Sequence, residues 1–196
     1  MTQRADYQKL DVYIKINLGL NGQKLAHPNG HENRTAAMCR RFARHMGYDV
    51  ELTKELFYAA ALHDAGKVPI EVSILEKRDQ LTPAEWLIIQ SHPINAFNIL
   101  MSLDLTDNSI PMGILHHHVN WDGSGYPHVV IQGADIPLIG RILHFIDVYD
   151  AMTHPRFYRS QALDAFTPKE TIKQLVKEAS KFDAELLAEF IIMLEK

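Results

Sequence analysis

Cysteine is the residue this sequence comes closest to lacking. Cys39 is its single thiol, so no internal disulfide can form and no thiolate cluster is offered to zinc. A reducing compartment is expected. The chain also lacks any apolar run long enough to span a bilayer, and its opening stretch, MTQRADYQKLDVYIKINLGLNG, has no continuous apolar core of signal-peptide type. Basic excess is missing as well: 20 Lys and Arg face 24 Asp and Glu, a formal net charge of -4. That balance argues against a general DNA or membrane-surface binder. An anionic ligand must therefore be attracted locally. At 196 residues the chain fits one domain with one sizeable core, and a soluble cytoplasmic protein without a membrane span is expected.

Residues 1–26 read as an extension of open structure: Val12, Ile14, Ile16 and Leu18 alternate like a strand, while Gly19 and Gly22 interrupt any longer element. From residue 27 to 196 the periodicity is helical. Met38, Phe42 and Met46 recur at helical spacing and Gly47 supplies a stop. The next helix covers about 54–65, ahead of Gly66. Thr82-Pro83-Ala84-Glu85 and Thr167-Pro168-Lys169-Glu170 each pair a capping threonine with proline at the first helical position and glutamate at the third. Ile139, Leu143 and Ile146 share a face after Pro137, and Leu186, Leu187, Phe190 and Leu194 mark a closing apolar helix. No parallel-sheet alternation, repeat or low-complexity segment is present. The fold expected is all-α, a compact multi-helix bundle.

What the sequence has in quantity is histidine, eleven in all. Several lie beside acids or on apolar segments: His31, the pair His63-Asp64, His92, the run His116 to His118, and Asp147 beyond them. A bundle can bring such side chains from different helices to one interior point. Asp64 closes the apolar stretch FYAAALHDAGK, where a buried carboxylate is costly without a cation or donor; the plainer alternative is an aspartate capping the Gly66 turn. Asp147 stands in the core-like RILHFIDVYDAM and needs a positive partner, either a metal or an arginine such as Arg141 or Arg156. His92 can be a polar residue at the break before Pro93, and His31 one tolerated at a helix start. Only the set as a whole argues for a metal.

The motifs HDAGK at 63–67 and HHVNWDGSGYP at 117–127, with LT at 81–82, HP at 92–93, IDVYDAMT at 146–153, RFYR at 156–159 and FDAELLAEF at 182–190, resemble the HD-GYP family of metal-dependent cyclic di-GMP phosphodiesterases. The resemblance covers about residues 27–190. It implies an HD-type helical bundle, with His31, His63, Asp64, His92, His117, His118 and Asp147 as ligands of two divalent transition-metal ions, iron or manganese. His31 and Arg34 match the family's first histidine and its companion arginine. His116 is surplus to the ligand set and is assigned a structural or supporting role. His27 stands where three-metal members carry a glutamate, and is the donor the resemblance implies for a third ion. Val119-Asn120 and Glu71-Val72 replace the family's Glu-Arg and Pro-Asp, departures that touch substrate preference and rate.

The ligand charge also suits the chemistry. Two carboxylates and five neutral imidazoles against two divalent ions leave about +2, or about +1 with a bridging hydroxide. Ions roughly 3.5–4 Å apart lower the pKa of a shared water and align it with phosphorus. Asp64 and Lys67 are the expected catalytic residues. Lys67, Arg156 and Arg159 are expected on the phosphate, and Tyr126 at the border of the base cleft. Gly123 and Gly125 permit backbone conformations closed to other residues, so the GYP loop can hold the preceding histidines in register or dock a diguanylate cyclase partner. The expected reaction is hydrolysis of cyclic di-GMP to linear pGpG, GMP or both. The alternatives are another cyclic dinucleotide as substrate, or a noncatalytic module that binds nucleotide or partner.

Overall fold

A computed structural model describes residues 7–14, 30–105, 109–154 and 165–196. Among them are ten α-helices: α1 (Tyr7–Tyr13), α2 (His31–His45), α3 (Val50–Leu62), α4 (Val72–Leu75), α5 (Pro83–Gln90), α6 (His92–Met101), α7 (Ser109–Leu115), α8 (Leu138–Thr153), α9 (Pro168–Lys177) and α10 (Ala184–Leu194). No strand forms among the described residues beyond a single bridge between Val119 and Gly125. None of their helices is long and apolar enough to cross a membrane. The all-α bundle is thus the architecture observed.

Local chemistry sets the helix starts. Thr82 accepts from the Glu85 N–H while the Glu85 carboxylate returns to the Thr82 N–H, and Thr167 and Glu170 repeat the exchange. Both are reciprocal capping boxes with proline at the first helical position. Helix α3 begins at Val50, earlier than its apolar pattern suggests, because the Asp49 side chain accepts from Leu52 N at 2.8 Å and caps it. It ends at Leu62. His63 and Asp64 therefore stand just past its C-terminus, followed by a 3₁₀ turn at Ala65–Lys67. In the first 26 residues the strand-like alternation does not make a strand where the structure is described: Val12 lies in α1, whose Leu10 is wholly buried in the core. Ile16 and Leu18 lie outside the described residues.

The core is centred on α2, α8 and α10. Phe42, Phe145 and Phe190 pack ring to ring at centroid spacings of 5.6, 6.0 and 5.0 Å, with no exposure for any of the three. Each contributes about 1.5–3 kcal/mol through burial. Helix α3 packs along α2, α7 packs against α3 and α8, and α6 packs against α7. The tightest approach is at Gly66: a Cβ there would stand 1.9 Å from the His92 carbonyl oxygen and 2.6 Å from Ala96 N. Glycine at 66 lets the turn after the His63-Asp64 pair lie directly on α6. The sequence alone suggests flexibility at this position, but its role is close packing.

Candidate metal centre

Five helices deliver the seven residues singled out by the sequence to one place. His31 opens α2, His63 and Asp64 follow α3, His92 opens α6, His117 and His118 follow α7, and Asp147 projects from α8. The structure brings them into three overlapping groups whose ligand atoms lie within 4.8 Å of one another: His31, His63 and Asp64; His92, His117 and His118; and His63, His117 and Asp147. Asp64 lies between the first two groups. Its Oδ2 is 3.7 Å from His63 Nε2, while its Oδ1 is 3.5 Å from His92 Nε2. The capping alternative for Asp64 is not realised, since its side chain makes no cap hydrogen bond to the 3₁₀ turn. Nor does Asp147 meet Arg141, which pairs with Asp183 at 2.7 Å; Asp147 accepts from His31 Nε2 at 2.8 Å instead.

The imidazoles are aimed by the backbone. His63 Nδ1 donates to Ala60 O at 2.7 Å, His92 Nδ1 to Ile89 O at 2.8 Å and His117 Nδ1 to Ile114 O at 2.6 Å. A carbonyl only accepts, so each Nδ1 carries the proton. Burial, the main cause, pushes the His92 pKa down to about 4 and that of His117 well below the ordinary range. Both rings are neutral near pH 7, with bare Nε2 atoms facing each other at 3.3 Å. Two lone pairs at that spacing have no proton to share. A cation resolves the repulsion, and the donor set fits one: imidazole nitrogen and carboxylate oxygen without thiolate suit iron, manganese, cobalt, nickel or zinc. The carbonyl ends of α3, α5 and α7 lie at the same place, and helix C-termini favour positive charge.

The acids are tuned in the same sense. Burial alone would raise Asp64, but Lys67, then His63 and His92, hold it well below the usual carboxylate range. Asp147 is likewise held well below that range, against its burial, by the His31 hydrogen bond and by His63. His31 sits between Asp147 and Asp150, and their hydrogen bonds overcome burial to lift it to about 10. Lys67 Nζ reaches Asp64 Oδ2 at 2.7 Å and its side chain keeps 27 % exposure. His63, Asp64, His92, His117 and Asp147 are buried, whereas His31, His118 and Tyr126 are half-buried. These last three and Lys67 are the residues of the centre that solvent partly reaches.

Around this set, the GYP loop is a fixed turn. Tyr126 N donates to His118 O at 3.1 Å and Asn120 N to Ser124 O at 2.8 Å. Gly125 has φ +94°, and a Cβ on it would meet His118 O at 2.2 Å, so glycine is demanded twice there. The Tyr126 ring lies 4.5 Å from that of His118. His116 belongs to none of the three groups, and its Nδ1 donates to Met112 O at 2.8 Å. His27, Arg156 and Arg159 lie outside the described residues.

Two acids escaped the sequence reading. Asp150 accepts from His31 Nδ1 at 2.6 Å and holds the Arg34 guanidinium by two contacts of 2.8 Å. It orients a candidate ligand from behind, as outer carboxylates do. The available signal was its position three residues after Asp147 on the same helix, which places both on one face. Glu32 is the other: burial, then Asp64, raises its carboxyl. Nothing in its surrounding sequence marks it.

Residues 20–186 match a family model described as the HD domain. The chain is 34% identical over 163 residues to 3'3'-cGAMP-specific phosphodiesterase 2 of Vibrio cholerae, covering 83% of this chain and 30% of that protein. It is 33% identical over 170 residues to a cyclic di-GMP phosphodiesterase of Thermotoga maritima, covering 85% and 44% respectively. It thus spans less than half the length of these relatives. Among solved structures, an HDG"Y"P protein of Bdellovibrio bacteriovorus superposes with a TM-score of 0.68 at 17% identity, over 97% of this chain and 58% of that one. The HD domain of the Listeria monocytogenes phosphodiesterase PgpH, in complex with cyclic-di-AMP, gives 0.60 at 17% identity, over 95% and 93%. With the family match running from residue 20 into α10, the chain belongs to the HD-domain family.

Proposed function

We propose that this chain is a metal-dependent phosphodiesterase that hydrolyses cyclic di-GMP to linear pGpG, GMP or both. The observation that carries the reading is the facing pair of neutral imidazoles, His92 and His117, with Asp64 reaching toward the donors on both sides. His31, His63, Asp64 and Asp147 would hold one ion, and Asp64, His92, His117 and His118 the other. Divalent ions, iron or manganese by the family resemblance, supply Lewis acidity and an activated water for in-line attack on a phosphodiester.

The chain's own residues supply the rest. Carbonyl-aimed rings keep the donors preorganised, so little rearrangement accompanies ligation. Lys67, next to Asp64 and partly exposed, carries the positive charge that offsets nonbridging phosphate oxygens. Tyr126 offers an aromatic face beside His118. The P–O3′ bond breaks as water adds at phosphorus, and the released oxygen takes up a proton from solvent.

A second substrate has specific support: three of the relatives bear the name 3'3'-cGAMP-specific phosphodiesterase. The test is to incubate purified, metal-loaded protein with each cyclic dinucleotide, identify products by chromatography and measure bound metal by elemental analysis. Hydrolysis of cyclic di-GMP is expected. His63→Ala and Asp64→Ala should each lose metal and turnover together, by more than the roughly 100-fold typical of losing an outer-shell partner, while circular dichroism stays helical. Full metal content and turnover in both variants would refute the assignment.

A further inference from the structure

Helix α5 has an unusual surface for a short helix beside a polar centre. None of its eight residues is buried, and Trp86, Leu87 and Ile88 are exposed at 46, 64 and 43 %. Its first turn is fixed by the Thr82–Glu85 box and a Lys77–Glu85 ion pair at 2.7 Å. An exposed tryptophan leaves a large apolar ring in water without contributing to the core. Its position relative to the candidate metal centre gives that ring a use.

Trp86 meets Tyr126 with ring centroids 6.4 Å apart and planes at 76°. Tyr126 lies 4.5 Å from His118 and 6.1 Å from His92. The aromatic surface therefore runs from two imidazoles of the centre through Tyr126 to the indole without a break. Two planes near a right angle make a corner. A flat base laid on the indole would meet the tyrosine ring edge-on, the arrangement aromatic quadrupoles favour, and its phosphate would extend past Tyr126 toward His118 and His92.

Resting on the phosphodiesterase reading above, we infer that Trp86 is a substrate-binding residue that stacks one purine of the cyclic dinucleotide, with Tyr126 as the second wall of that base site. A nucleobase fits this corner better than a protein partner. The ring surface is continuous with the centre that would hold the phosphate, and a base is tied to its phosphate by a short sugar linker.

Stacking on one aromatic ring carries enough free energy that alanine substitution should raise KM for cyclic di-GMP by roughly 5- to 100-fold. Because Trp86 touches no reacting atom, kcat should change by less than about twofold. Trp86→Phe should restore most of the affinity. Inorganic phosphate, which probes the metal centre without a base, should bind metal-loaded Trp86→Ala as it binds the parent protein. Two tryptophans are present, Trp86 and Trp121, so the stopped-flow fluorescence quench on mixing with cyclic di-GMP should be seen in the parent protein and vanish in Trp86→Phe, which still binds.

Equal KM in parent and Trp86→Ala, with hydrolysis intact, would overturn this inference and leave the phosphodiesterase reading standing. Equal loss of phosphate and nucleotide affinity in Trp86→Ala would also overturn it, by showing a merely structural role. A parent protein that binds phosphate and metal but neither cyclic dinucleotide would overturn both readings together.

Discussion

At the scale of single residues, direction of aim matters more than residue type. Eleven histidines give the chain many nitrogens, yet within the centre His31, His63, His92 and His117 each have one ring N–H held by a carbonyl or carboxylate, which fixes what the other nitrogen presents. Asp150 does this for His31 through a 2.6 Å contact, and is itself fixed by Arg34. Removing it frees the ring to rotate and leaves a half-buried guanidinium without its carboxylate. Asp150→Ala should lower metal affinity by about 10- to 100-fold, measured by competition with a chelator of known affinity, while the metal count at saturation stays that of the parent protein.

At the scale of elements, Gly66 sets how closely the turn after α3 lies on α6. Gly66→Ala forces a Cβ into the His92 carbonyl, and backbone cannot rotate aside as a side chain can. The expected cost is about 1–3 kcal/mol, seen as a lower urea midpoint, together with weaker metal binding as His92 is displaced. Helix α5 has its own pH signature. The Lys77 ammonium, then the Thr82 backbone N–H, holds Glu85 down from 4.5 to about 2. Its stabilisation is complete above the ordinary carboxylate value and is lost as pH falls through about 2. Glu85→Gln should flatten that part of an acid titration followed by circular dichroism.

Much of this was legible in the chain. The two Thr-Pro-x-Glu boxes are local chemistry and appear as read, and so does the α8 face of Ile139, Leu143 and Ile146. That His31, His63, Asp64, His92, the run His116 to His118 and Asp147 could share a cation was legible because a costly acid on an apolar segment needs one, whereas the choice of His117 and His118 over His116 is what the family resemblance implies. Periodicity could not reveal that Gly66 is a contact point, since the requirement comes from α6, 26 residues away at His92 in the chain. Asp150 was hidden because one acid in IDVYDAM already had an explanation. The start of α3 was missed because Asp49, a cap, lies outside the apolar pattern.

For the molecule as a whole, the bundle is held by its phenylalanine core, whereas the metal centre lies where helix ends meet. The fold should therefore persist without metal, but less stably. Ligand that binds only the folded state adds about 2.7 kcal/mol when present at a hundred times its Kd. For a domain of this size that is a rise of roughly 5–11 °C in Tm per site. Scanning calorimetry with and without chelator should show the shift, with helical content unchanged at 25 °C.

The three rings that hydrogen-bond to the carbonyl three positions earlier have a further consequence. For His63, His92 and His117 the compass bearing of the donor atom is written within a four-residue stretch of chain, while only its location depends on how the bundle assembles. Breathing of one helix against another would stretch the spacing between donors without turning them away. Such a centre can tolerate jostling as a cation enters or leaves and still find its geometry again.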